Sequence, residues 1–390
     1  MSMGMRRVLA AALILFPNSL SAQESTAVTL RAAHLFDPAR GLVLDDPVVV
    51  VQGGRISAVG TAAAMPAPPG SRIINLDGAT LLPGLIDAHV HLTLGPADSN
   101  ARATLLAGFT TVQDLGGLAH ANIALRDRVA AGRTPGPRII SAGGWIGVRG
   151  GICDFDGRGV RGAEEFAARV REDVAAGADL IKICVTGWPG DALSHPDSVE
   201  AGEAEIAAVV AEARKSGRRV MAHAIGRRGI EMAVRLGAAA IVHSGFPDSV
   251  TVAEMKRRGI YLIPTLWSLT GRGASADATA LGRHMRRVLA AGVPVAMGTD
   301  AGVVPHGRNA RELAWLVRSG LTPLQALRAA TTGAAELLGL GDSLGLVAPG
   351  RYADLIAVEG NPLDDVGRLE RVGFVMKAGK VYRNDFSPSR

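Results

Sequence analysis

The feature that most constrains this chain is an alternation. Apolar, β-prone runs fall at 81–91, 111–114, 138–141, 180–185, 220–224, 241–243, 261–265 and 293–299. Amphipathic stretches separate nearly all of them, at 163–176, 204–215, 229–236, 252–258 and 278–291, each ending near a glycine. Continuous apolar runs of this length are what strands buried on both faces need, and the intervening helical period supplies their cover. Eight strands interleaved with helices predict an α/β protein with a parallel sheet, and eight is the number that closes a (β/α)8 barrel of the TIM type. An open doubly wound sheet is the alternative. Its dinucleotide-binding form lacks support, because no Gly-x-Gly-x-x-Gly stands between a strand and a helix.

Both ends of the chain have a different texture. Short β-prone runs broken by turns occupy 28–30, 48–51, 56–59 and 73–75, with Gly53-Gly54 as a hairpin signal, and return at 354–358, 372–376 and 379–382. The expectation is a small composite β-sandwich domain from residues 23–79 and 347–390, flanking a barrel over 80–346.

Residues 1–22 read as a secretory signal: Arg6-Arg7, an apolar centre over 8–16 too short to span a bilayer, and the small-residue exit Ser19-Leu20-Ser21-Ala22. The chain is therefore expected in the periplasm or outside the cell, with no membrane attachment once the signal is removed. Removal takes two of the 42 basic residues, leaving a formal +4 that implies no particular partner. Aromatics make up only 4% of the chain, too few for a base-stacking surface, so nucleic acid is not an expected partner. A small-molecule substrate is expected, and a homo-oligomer is left open. An exported protein permits a bridge between Cys153 and Cys184. Spacing alone does not establish one, and both are read as free thiols.

If the barrel is right, reactive groups belong at the C-terminal ends of its strands. Four of the nine histidines fall there: His89 and His91 at alternate positions of one strand, then His223 and His243. Lys182 lies between Ile181 and Ile183 on a central strand, where an unpaired ammonium is costly. Asp300 ends the last strand. Singly, each has an ordinary structural explanation; jointly, they suit two divalent ions of zinc type. His89, His91 and Asp300 would hold one ion, and His223 and His243 the other. An anion must bridge them, and an Nζ carbamate on a lysine supplies one.

With these motifs in view, the chain resembles the amidohydrolase superfamily, and within it the imidazolonepropionase-like and Xaa-Pro-dipeptidase-like branch of metal-dependent hydrolases. The match rests on Gly84-Leu85-Ile86-Asp87-Ala88-His89-Val90-His91, Lys182, His223, His243 and Gly298-Thr299-Asp300-Ala301-Gly302. It continues in the tail through residues 349–355 and Gly360-Asn361-Pro362-Leu363. The resemblance implies carboxylation of Lys182 on N6, two divalent metal ions, and Asp300 as the group that takes a proton from the attacking water. It implies cleavage of amide or peptide-like bonds in small substrates such as dipeptides or N-acyl amino acids. Cyclic amides and lactones would suit the same metals, and a barrel that has lost its chemistry is the reading from another class.

Substrate choice must lie in the loops. The glycine-rich stretch 143–158 carries Arg149 and Arg158 and reads either as a lid with an arginine for a substrate carboxylate or as a solvated loop. His306, just past Asp300, is the second candidate substrate contact. His34, His120, His195 and His284 are assigned nothing.

Overall fold

In the computed structural model, which describes residues 27–189, 194–243, 245, 247–270 and 278–386, the chain builds three sheets. Five strands come first: β1 (Val28–Asp37), β2 (Leu42–Asp45), β3 (Pro47–Gln52), β4 (Arg55–Thr61) and β5 (Arg72–Pro83). The central region contributes β6 (Leu85–Val90), β7 (Phe109–Asp114), β8 (Arg138–Ser141), β9 (Trp145–Ile146), β10 (Ile181–Cys184), β11 (Val220–His223), β12 (Ala240–Val242) and β13 (Tyr261–Ile263). The tail adds β14 (Leu355–Glu359), β15 (Phe374–Lys377) and β16 (Lys380–Asn384). The expected signal segment lies outside the described residues.

The two ends pair as the texture predicts, but into one continuous sheet, ordered β16-β15-β14-β5-β1-β3-β4 with β2 added on β1. Alternation along each strand feeds two cores: Leu81, Leu355 and Ala357 join the end sheet's own cluster, whereas Leu82, Ile356 and Val358 enter the large central one. Arg138 of β8 ties the parts further, its guanidinium 2.7 Å from Asp354 and 4.2 Å from the Tyr352 ring centre.

The run 81–91, expected as one strand, is two. Its first part ends β5 against β14 (Leu82 opposite Ile356), and after Gly84 the second begins β6 against β7. Hydropathy does not see the break because both sheets bury their share of the run.

The central strands form two parallel sheets, β6-β7-β8 and β9-β10-β11-β12-β13. Residues 293–299, expected as the eighth strand, form no continuous ladder; Pro294 has no N–H to contribute. They still run between the two sheets: Ala296 N–H donates to the Leu262 carbonyl at 3.0 Å, and Ala88 N–H donates to the Met297 carbonyl at 2.8 Å. Helices Gly162–Ala175, Glu203–Lys215, Arg227–Leu236 and Ser249–Arg258 fall where the amphipathic stretches predict, the last capped by Asp248, whose carboxylate accepts from Thr251 N–H.

Cys153 and Cys184 are disulfide-bonded, which corrects the free-thiol reading; their Cα atoms are 6.2 Å apart and 31 residues apart in sequence. The bond ties the glycine-rich loop after β9 to the strand that carries Lys182. Closing a loop of that length restricts the unfolded chain, so the Cys153→Ser/Cys184→Ser double variant is expected to lose about 3–4 kcal/mol in denaturant unfolding.

Candidate active site

At the end of β6 the alternation sets His89 and His91 side by side, with their Nε2 atoms 3.1 Å apart. Asp300 arrives from the segment between the two sheets, its Oδ1 3.3 Å from each Nε2. Three buried ligand atoms thus lie within 4.8 Å of one another. His223 and His243, from the ends of β11 and β12, are 4.5 Å apart between ring centres, and His243 is 5.2 Å from His89. Lys182, 2% exposed on β10, faces the same cavity as all five.

The tautomers follow from the partners. His91 Nδ1 donates to the Gly116 carbonyl at 3.1 Å, which leaves its Nε2 lone pair facing Asp300 and His89. His223 Nε2 donates to the Gly187 carbonyl at 3.3 Å, leaving Nδ1. His243 Nδ1 is held by Thr265 Oγ1 at 2.7 Å. Buried His89 Nδ1 has no hydrogen-bond partner among the described residues. Burial, reinforced by neighbouring cationic groups, pushes the His89 and His243 imidazoles well below their ordinary value and His223 down to about 3. Neutral imidazoles with oriented lone pairs, converging on a carboxylate oxygen, fit a cation that would reconcile them. Burial also lowers the Lys182 amine to about 7, against a raising influence from Asp300.

A second carboxylate organises the first group. Asp87, two residues before His89 and wholly buried, accepts from His89 N–H (3.1 Å), Thr299 N–H (3.0 Å), Thr299 Oγ1–H (2.7 Å) and Asn309 Nδ2–H (2.8 Å). Burial raises its pKa to about 6 while these four donors favour the ionised form. The Gly-Thr-Asp-Ala-Gly motif therefore has a structural reading: Thr299 anchors to Asp87, Asp300 faces the histidines, and Gly302, at φ 117°, packs where a Cβ would stand 2.8 Å from the His91 carbonyl. Three non-glycine residues take positive φ here, His243 (78°), Thr265 (48°) and Asp300 (62°). Such conformations cost about 1–3 kcal/mol each and persist where surroundings over-determine them.

The four histidines, Lys182 and Asp300 line a cavity of about 240 Å³ whose wall also includes Trp145, Phe155 and Trp188. Neither substrate-contact candidate stands in that wall. Arg149 turns outward, 60% exposed at the side chain, toward Glu165 at 3.7 Å. His306 lies behind the site, its Nε2 3.3 Å from the His91 carbonyl and its Nδ1 3.1 Å from Thr104 Oγ1; burial lowers its pKa to about 4. Asp87, Gly116, Thr265 and the three aromatic residues are the functional candidates that sequence reasoning missed. Only Asp87 left a signal, an acid on the histidines' own strand face.

Gly116 serves twice. Its carbonyl orients His91, and the Trp145 indole lies against it so closely that a Cβ would fall 2.4 Å from Nε1. Its φ of 139° also disfavours any other residue. A Gly116→Ala variant is expected to shift both rings and lower kcat/KM by about 10²-fold, with His91 misplacement read as weakened metal retention on dialysis.

Comparison with known proteins agrees with this geometry. The amidohydrolase family model matches residues 80–382. The ochratoxinase of Aspergillus niger is 27% identical over 94% of this chain and 89% of its own length. Its crystal structure superposes with a TM-score of 0.82 at 25% identity, covering 92% of this chain and 96% of that one. The crystal structure of an Xaa-Pro dipeptidase with bound methionine in the active site gives a TM-score of 0.87 and 31% identity over 92% of this chain and all of that one. Oriented histidines and an acid at strand ends, within a family match spanning most of the sequence, lead to one assignment: the chain belongs to the amidohydrolase family and is a hydrolase acting on carbon–nitrogen bonds.

Proposed function

We propose that this protein is a two-metal amidohydrolase that cleaves amide or peptide-like bonds of small molecules, dipeptides and N-acyl amino acids among them. The observation that carries the reading is the convergence of His89, His91, Lys182, His223, His243 and Asp300 on one buried cavity. His89, His91 and Asp300 would hold one ion, His223 and His243 the other, with Lys182 as an N6-carboxylate between them. A lysine whose amine is held near 7 has the neutral form that reacts with carbon dioxide, which supports that bridge. Divalent ions of zinc type, when bound, lower the pKa of water and polarise the scissile carbonyl. Asp300 then takes a proton from the attacking water and returns it to the leaving nitrogen, so that the C–N bond breaks as the C–O bond forms.

The two parallel sheets would be the arcs of a (β/α)8 barrel in which β8, paired to β7, and β9, paired to β10, share the third position and 293–301 is the eighth; Ala301, bridged to Val90, supports that placement. The disulfide suits an oxidising compartment and so supports export. Similarity to an Xaa-Pro dipeptidase supports amide cleavage. The apolar cavity wall also suits a neutral ring, which supports the alternative reading, hydrolysis of a cyclic amide or lactone at the same site. The test is release of free amino acids from a dipeptide and N-acyl amino-acid library by the zinc-loaded enzyme, with metal content measured by emission spectroscopy. About two equivalents per chain and metal-dependent release are expected; a folded protein that takes up no metal and cleaves nothing would overturn the proposal.

A further inference from the structure

We infer that the cavity selects substrates by a planar apolar group, an aromatic side chain or aromatic acyl group, and that Phe155 is the residue that reads it. The inference rests on the amide-cleaving reading above and names its substrate class. Beyond the proposed ligands, the wall consists mainly of Leu94, Trp145, Ile152, Phe155, Trp188 and Val303. Lys182 and Asp300 are its only Lys, Arg, Asp or Glu side chains among the described residues. The arginines of the adjacent loop are engaged outside it, Arg149 with Glu165 and Arg158 with Glu172. A free substrate carboxylate finds no guanidinium fork there.

The aromatic residues stand on both sides of the histidines. Trp145 is 5.4 Å from His91 between ring centres, whereas Trp188 is 4.9 Å from His243 and 5.9 Å from His223. Phe155 meets Trp145 edge-on at 4.9 Å, yet remains 59% exposed. Its loop is fixed rather than loose. The Cys153–Cys184 bond anchors it two residues away, Asp154 accepts from the Gly150 and Gly159 N–H groups, and Glu200 accepts from Ile152 N–H. A large apolar ring held at a cavity mouth by a covalent tie and three hydrogen bonds is preorganised for a partner that covers it.

The test compares kcat/KM for N-acetyl-L-phenylalanine, N-benzoylglycine and N-acetylglycine with the zinc-loaded enzyme. The better aromatic substrate is expected to exceed N-acetylglycine by about 10- to 100-fold, the contribution of burying one ring. Phe155→Ala is expected to shrink that ratio by about tenfold, chiefly through KM, and Phe155→Tyr to restore most of it. Calorimetric binding of 3-phenylpropionate against propionate, neither of which has an amide to cleave, separates this inference from the function it rests on. Tighter binding of the aromatic acid, lost in Phe155→Ala, supports the subsite even if no amide is hydrolysed. Equal binding of the two acids, or a ratio that Phe155→Ala leaves unchanged, overturns the subsite even if amides are hydrolysed.

Discussion

An Asp300→Asn variant is expected to fold as the parent does and to lose about 10³- to 10⁴-fold in kcat, the upper range for removing a general base. Asparagine keeps the shape of the side chain and tolerates the left-handed backbone found at this position, φ 62°. The hydrogen bond from residue 300 N–H to the His89 carbonyl, 2.8 Å, belongs to the backbone and survives. What disappears is the negative charge 3.3 Å from two imidazole nitrogens and the acceptor for a proton. Removing one imidazole from the other pair, as in His223→Asn, takes a ligand but no base and is expected to cost less. Steady-state kinetics with metal content and thermal melting on the same samples check the comparison. Turnover within tenfold of the parent at full metal loading would place the base elsewhere.

Much of this site was legible because a strand has a period of two and a barrel gathers its strand ends. Six ligand candidates spread over more than 200 residues could be assembled from those rules, and the structure brings all six to one cavity. The rules describe chemistry that repeats along the chain. They are blind to contacts that depend on how distant segments meet. Thr265 is an ordinary threonine in sequence, and only the approach of two strand ends shows that it holds His243. Asp87 stood inside a quoted motif, yet its partners Thr299 and Asn309 lie more than 200 residues away. The loop arginines, read either as a lid or as a solvated loop, show the converse limit: a charge tells that a side chain needs a partner, not which side of the loop supplies it. Arg149 finds Glu165 outside the cavity. The division of 81–91 into two strands was invisible because burial is uniform across Gly84, and an apolar run does not reveal that 293–299 meets both neighbouring sheets through separate hydrogen bonds rather than a continuous ladder.

Lys182 separates stability from function most sharply. Lys182→Met is expected to strip most of the bound metal and at least 10³-fold of the activity while making the metal-free protein more stable. The side chain is 2% exposed, flanked on β10 by Ile181 and Ile183, and has no ion-pair partner among the described residues. Burial brings its pKa from the ordinary 10.5 to about 7. Between those values the unfolded chain binds a proton that the folded chain does not, so metal-free stability should rise with pH across that window and then level off. Methionine fills a similar volume without an amine to desolvate, which removes both the cost and its pH dependence. A buried lysine carries such a cost for its chemistry, and in the proposed two-metal reading that chemistry would be the anionic bridge of a carboxylated amine. Urea melts of metal-free parent and variant at pH 7 and pH 10, beside metal content and kcat of the zinc-loaded proteins, test both halves. A variant that keeps two equivalents of metal and turns over within tenfold of the parent would exclude the bridge, and a metal-free variant less stable than the parent at pH 7 would show that the buried amine has a stabilising partner.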